Sequence, residues 1–236
     1  MPHTAHNTAM NTSSFTIARR NMVLSQINTN KVIDPRLLAA LEQLPREWFV
    51  PDAALPLAYG DVDVPLGNGR YLLEPMVLAR LLQAAAIHPN DHVLDLAPAS
   101  GYSTALFALL AGSVVAVEPD AGLRQLAKAN LQQLQEDFQL APVTWLAKDQ
   151  GVGGGAPEQG PYDIMLLNGA TASLPSAYAA QLKLGGRLLC IRRGADDAVA
   201  KATLYTKHHN HLDHLPLFDC ATPWLPELSP PPAFVF

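Results

Sequence analysis

The chain has 236 residues, 49% hydrophobic and 16% charged, with a net charge of −5, which fits one full-sized globular domain with an appendage and excludes a disordered chain. No Lys/Arg stripe with interleaved aromatics is present, which argues against nucleic acid as the main partner. The longest apolar run, about 104–117, is broken by Gly112 and Ser113 and is too short to cross a bilayer. The N-terminus, MPHTAHNTAMNTSS, has neither a basic nor an apolar region of a signal peptide, and the two cysteines, Cys190 and Cys220, give no disulfide framework. The expectation is a cytoplasmic protein in a reducing compartment.

Residues 1–14 are small and polar and read as a loose tail. From Ile17 to about Leu44 the spacing is helical, interrupted at DPRLL, where Asp34 can cap a helix and Pro35 can open it. The Pro- and Gly-rich stretch from Leu44 to Gly69 reads as an irregular cover, and 74–87 resumes helical spacing with Pro75 near its start. The rhythm then alternates. HVLDLA reads as a strand buried on both faces, and SVVAVE, PVTWLA, YDIMLLN and RLLCIRR read as further strands. Between them, YSTALFALL, 120–135 and SAYAAQLK read as helices, the last closed by Gly185-Gly186. KATLYTKH and LDHLPLF read as a hairpin. The expected fold is α/β: a Rossmann-like, doubly wound, mostly parallel seven-stranded sheet with helices on both faces and an N-terminal helical cap. The expected divisions are a tail (1–15), a cap segment contributing to the acceptor site (16–90), a cofactor-binding domain (91–219) and a Pro-rich C-terminal extension (220–236). Ligands of such sheets bind beyond the C-terminal strand ends, at the topological switch point.

The first strand of the alternating part runs into Asp95-Leu96-Ala97-Pro98-Ala99-Ser100-Gly101-Tyr102, and Glu118 closes the next strand, 21 residues after Ala97 and just before Pro119 and Asp120. An acid at that distance takes ribose hydroxyls in nucleotide-binding folds. Alanine at two approach points and the missing N–H of Pro98 make a poor pyrophosphate cradle. A dinucleotide is therefore disfavoured, whereas S-adenosyl-L-methionine, which carries adenosine but no phosphate, asks less of the loop. An ordinary strand-to-helix turn is the alternative reading.

Four stretches together resemble the protein-L-isoaspartate O-methyltransferase family of class I S-adenosylmethionine-dependent methyltransferases, in a divergent bacterial branch. They are DPRLLAALEQLPREWFVP, AYGDVDVPLGNG, VLDLAPASGYSTALFALLAG and PYDIMLLNGATASLPSAYAAQLKLGGRL, in consistent order over roughly residues 18–192. The resemblance implies S-adenosyl-L-methionine as cofactor, S-adenosyl-L-homocysteine as product, and isoaspartyl residues of damaged proteins or peptides as substrates. It places Asp95 and the 97–101 loop at the methionine end, with Tyr102 following. Glu118, next to Pro119, falls on the ribose, Asp149 with Gln150 by the adenine, and Asn168 facing the reacting centre. Two family glycines are Ala97 and Ala99 here, each costing about 1 kcal/mol or more if the position needs positive φ.

The family's acceptor motif, G-Q-T-I-S-Q-P, reads Gly69-Arg70-Tyr71-Leu72-Leu73-Glu74-Pro75 here. Leu73 offers an anionic acceptor no hydrogen bond, and Glu74 would repel it. Arg70 or the Tyr71 hydroxyl could compensate, or Tyr71 and Leu73 could pack in the core. Two other functions stay open on these departures: methylation of a different acceptor, or a non-catalytic protein that binds cofactor or peptide. The four histidines of KHHNHLDH read as a solvated hairpin tip and not a metal site, GVGGGAPEQG as a mobile loop, and LSPPPAFVF as an apolar end packed on its own domain.

Overall fold

The computed structural model describes residues 5–147, 152–209 and 211–230, with side chains from Ser14 onward. Helix α1 (Ala5–Met22) continues through a π turn (Val23–Ile27) and a 3-10 turn (Asn28–Asn30) before α2 (Pro35–Gln43). Asp34 caps α2 as expected, its carboxylate accepting from the Arg36 and Leu37 amides, with Pro35 in the first turn. The expected tail is instead helical from Ala5. Nothing in Ala5–Met22 is Pro or Gly, and a helix already nucleated extends one hydrogen bond per residue.

The irregular cover holds two 3-10 turns (Arg46–Phe49, Asp52–Leu57) and, against expectation, a two-stranded antiparallel ribbon, β1 (Val64–Gly67) and β2 (Arg70–Leu72). Asn68 and Gly69 join its strands with φ of 50° and 71°, the pair of positive values that an Asn-Gly hairpin turn requires. Helix α3 (Pro75–Ala85) then leads into the main sheet.

That sheet alternates β3 (His92–Leu96), α4 (Tyr102–Leu110), β4 (Ser113–Val117), α5 (Ala121–Leu134), β5 (Val143–Leu146), β6 (Tyr162–Thr171), α6 (Ala177–Gln181) and β7 (Leu182–Arg192), and ends in the hairpin β8 (Ala200–Lys207) and β9 (Leu212–Cys220). Its order is β5-β4-β3-β6-β7-β8-β9. The first five strands of that order run parallel, and the hairpin adds two antiparallel pairings. From β3 the chain first winds outward to β5 and then crosses back to β6, so the switch point lies between β3 and β6. Helix α6 is shorter than expected. Leu182 turns extended and pairs with Tyr162, which draws Gly185 and Gly186 into β7 instead of a helix end.

The continuous apolar runs serve two cores. Val93, Val114, Ile164, Leu166, Leu189 and Ile191 face the helices of the N-terminal half, while Leu94, Leu96, Val115, Val117, Met165 and Leu167 face α6 and Leu225. Period-two alternation therefore puts successive residues of one strand into opposite cores. Burial of this kind stabilises by roughly 1.5–3 kcal/mol per large aliphatic side chain. Among the described residues, no helix is long and apolar enough to cross a membrane.

Candidate functional site

At the end of β3 the chain makes three alternate left-handed steps, with φ of 54° at Ala97, 51° at Ala99 and 92° at Gly101. The two alanines thus sit where glycine is at ease, and each carries the steric cost that its Cβ imposes there. Gly101 has no such latitude. A Cβ there would stand 2.8 Å from that of Ala127, because α5 packs directly on the loop. The Ala97 amide donates to Val117 O and the Gly101 amide to Pro98 O, so the winding is hydrogen-bonded along its length. The cap closes over it. Ser100 Oγ donates to Phe49 O at 2.6 Å and the Phe49 and Tyr102 rings meet edge to face at 5.2 Å, while from α5 Asn130 Nδ2 donates to Ser100 O at 3.3 Å. Arg46, fully buried, lies over the Tyr102 ring and donates to Ala58 O and Leu73 O, both at 2.6 Å.

Asp95, with 0% exposure, is the loop's inner anchor. Its Oδ2 accepts from Ser103 and Thr104 and its Oδ1 from Asn168 Nδ2 at 2.6 Å, and the same amide also reaches Leu96 O. Burial pushes the Asp95 carboxyl up to about 6, against the pull of these donors. Asn168 lies inside β6 and not at its end, but the register between β6 and β7 slips between Leu166 and Ala170 and turns its amide toward Asp95. The two residues on which the site's inner wall depends therefore meet across the switch point.

Glu118, also at 0% exposure, directly follows β4, and both of its oxygens accept hydrogen bonds. Its Oε2 accepts from the Ala99 amide at 2.9 Å, and its Oε1 from the Asp120 amide at 3.0 Å and from Arg70 Nε at 3.4 Å. Burial pushes its carboxyl above the ordinary range although Arg70 and the two amides oppose this. Pro119 turns the chain into α5, where Asp120 caps the helix by accepting from the Leu123 amide. The ribbon β1–β2 reaches this corner twice, through Arg70 and through Asn68 Nδ2, which donates to Asp120 Oδ2 at 2.7 Å.

Arg70 does more than face Glu118. Its two terminal nitrogens donate in parallel to the two oxygens of Glu227, at 2.9 and 2.5 Å. Burial works against its charge, but the two carboxylates hold its pKa above the usual arginine value. Glu227 belongs to a C-terminal strap lying along the extension of β6. The Ala170 amide donates to Pro223 O, the Leu225 amide to Ala170 O and the Ala172 amide to Leu228 O, each at 2.9 Å. Leu225 is buried against Gly169, where a Cβ would come within 2.6 Å of it. A cleft of about 390 Å³ is lined by Asn68, Arg70, Asp120, Pro226 and Glu227. Neither Glu118 nor the 97–101 loop lines it.

The acceptor segment is dispersed. Arg70 stands at Glu118, Tyr71 is half-buried in the ribbon opposite Pro65, and Leu73 is buried in the core, lending its carbonyl to Arg46. Glu74 precedes α3, with its amide donating to Asp63. Burial and the neighbouring carboxylates of Asp61 and Asp63 push the Glu74 carboxyl up to about 7. Asp149 and Gln150 lie outside the described residues, as do Asn210 of the histidine-rich turn and residues 231–236. In that turn the exposed side chains of His208, His211 and Asp213 bring one ligand atom each within 4.8 Å of one another.

The donor set suits a methionine-and-ribose ligand: an acid just past β4, backbone N–H groups in the wound loop, and the Asp95–Asn168 pair at the switch point. The space does not suit one in this closed arrangement. The loop is buried from Ala97 through Tyr102, and both Glu118 oxygens already hold donors. Asn68, Arg46 and Glu227 were not singled out in the sequence. An Asn-Gly turn signal was available for the first, and none for the others, since Arg70 and Glu227 are 157 residues apart.

The family model for protein-L-isoaspartate(D-aspartate) O-methyltransferase matches residues 18–212. The protein-L-isoaspartate O-methyltransferase 1 of Rhodopseudomonas palustris (strain HaA2) is 33% identical over 196 residues, covering 83% of this chain and 77% of that one. The enzyme of that name from Methylorubrum extorquens (strain PA1) is 36% identical over 172 residues, covering 73% and 72%. Among solved structures, a protein-L-isoaspartate O-methyltransferase superposes with a TM-score of 0.75 at 20% identity, over 89% of this chain and 67% of that one. A Plasmodium falciparum chain described as a β-aspartate methyltransferase, solved with S-adenosyl-L-homocysteine, gives 0.69 at 18% identity, over 90% and 98%. At those identities the superpositions speak for the fold, and the sequence matches speak for descent: the chain belongs to the protein-L-isoaspartate O-methyltransferase family.

Proposed function

We propose that this protein is a cytoplasmic, S-adenosyl-L-methionine-dependent protein carboxyl methyltransferase that acts on isoaspartyl residues of damaged proteins and peptides. The carrying observation is the meeting of Asp95, Asn168, the 97–101 loop and Glu118 at the switch point of a sheet whose sequence belongs to this family. The cofactor supplies an electrophilic methyl group on a sulfonium. An acceptor carboxylate is already ionised at neutral pH, so no general base is needed. The chain's part is alignment and exclusion of water. Glu118 with the Ala99 and Asp120 amides would position the ribose, and Asp95 with Asn168 would fix the loop against the methionine end. The buried cap around Phe49 and Tyr102 keeps that end dry.

Calorimetric titration with S-adenosyl-L-homocysteine, followed by methyl transfer to an isoaspartyl peptide and its aspartyl counterpart, tests the reading. Micromolar binding and transfer to the isoaspartyl peptide alone are expected. Binding without transfer would move the activity to another acceptor. No binding at millimolar ligand would leave a non-catalytic member of the family.

A further inference from the structure

The acid that the proposed function assigns to the ribose is held by a residue of the chain itself. Arg70 donates to Glu118 Oε1 from the ribbon side and is locked there by the paired hydrogen bonds to Glu227. A buried guanidinium with four-hundredths of its side chain exposed needs such partners, because an unpaired charge at that depth is costly. The strap that carries Glu227 is secured at both ends. Trp224 Nε1 donates to Arg193 O at 3.1 Å and its ring lies under the Arg193 guanidinium, while Leu228 O accepts from the Ala172 amide. Between these points Pro226 rests on Gly69, so closely that a Cβ on Gly69 would fall 2.5 Å from the Pro226 ring.

We propose that Pro223–Ser229 is an intrachain latch over the cofactor crevice, with Glu227 as its catch on Arg70, and that the latch must open before Glu118 can receive a ribose. This rests on the proposed function for the identity of the ligand. The reason is stoichiometric as well as steric. The two oxygens of Glu118 offer about four acceptor positions; three are taken by donors of the chain, and the two hydroxyls of a ribose need two. The amides of Ala99 and Asp120 are fixed by the backbone, so Arg70 is the donor that can leave. Withdrawing Arg70 from Glu118 while Glu227 still grips its other two nitrogens would require moving the strap with it. Apparent cofactor affinity is then the intrinsic affinity reduced by the fraction of molecules with the latch open.

The test is calorimetric titration of S-adenosyl-L-homocysteine into wild type, E227Q and G69A, with hydrogen exchange of the Leu225 and Ala172 amides followed with and without ligand. E227Q removes the catch's charge at a third-exposed site, and G69A adds a methyl beneath Pro226. Both variants should bind about tenfold more tightly than wild type, and ligand should speed exchange of both amides in wild type. Equal affinities with unchanged exchange would overturn the latch and leave the proposed function standing. Failure of all three proteins to bind at millimolar ligand would overturn the cofactor reading, and the latch's role with it.

Discussion

Ala97 and Ala99 set opposing effects at the scale of one methyl group. An L-residue held at left-handed φ costs about 1–2 kcal/mol, while a buried methyl contributes about 0.8 kcal/mol. Both alanines have positive φ and are buried. The conformational effect is the larger, so A97G and A99G should each leave stability unchanged or raise it by up to about 1 kcal/mol in urea denaturation. Ala105, equally buried but inside α4, has no strain to relieve. A105G should cost about 1.5 kcal/mol or more, from the lost methyl plus the helix penalty of glycine. Loss of stability in both loop variants similar to that of A105G would show that the surrounding packing, not backbone strain, governs the loop.

At the scale of elements, one cation ties two parts of the cap together beneath the exit of the 97–101 loop. Arg46 donates to Ala58 O from one part of the cap and to Leu73 O from the other, and its face covers Tyr102 at the loop's exit. Burial lowers its pKa, and its Nη1 has no hydrogen-bond partner among the described residues. Removing the guanidinium relieves that deficit but orphans two buried carbonyls, at about 1–3 kcal/mol each. R46M should therefore destabilise by about 2–4 kcal/mol in equilibrium denaturation. A change below about 1 kcal/mol would mean that the carbonyls find other donors and that the cap holds without this residue.

For the whole molecule, several carboxyl groups are buried in ways that favour their protonated form. Asp95 is held near 6 and Glu74 near 7, and Asp63 and Glu118 are also raised, in each case first by burial. A group whose folded pKa exceeds its unfolded value near 4 binds more protons in the folded state. Its stabilisation is complete below about pH 4 and is lost as pH rises through the folded pKa. For Asp95 alone, moving from about 4 to about 6 corresponds to roughly 3 kcal/mol. Glu227 and Asp163, whose pKa values are held down by Arg70 and by the His92 amide with Lys183, work in the other direction below about pH 4. Urea midpoints should accordingly be highest between about pH 4 and 6 and fall toward pH 8. D95N and E74Q should flatten that fall. A midpoint that climbs steadily from pH 5 to 8 would contradict this picture.

The sequence by itself determined the sheet, its parallel core and the family. Apolar runs of strand length between helical segments leave few ways to bury both faces, and right-handed crossovers reduce those further. It also determined the Asp34 cap and the placement of Ala97, Ala99 and Glu118, because these follow from local spacing. The Asn68-Gly69 hairpin was legible too, since two successive positive φ values suit those residue types, yet a surrounding excess of prolines masked it. Where α6 stops was decided by pairing with β6, which overrides the local helical preference of Leu182 and Lys183. Only the tertiary structure decided which donors fill Glu118, that Leu73 serves the core, and that Glu227 closes on Arg70. Apart from the adjacent Asp120 amide, those contacts join residues from 19 to 157 positions apart, and no periodicity or spacing in a chain encodes a partner at that range.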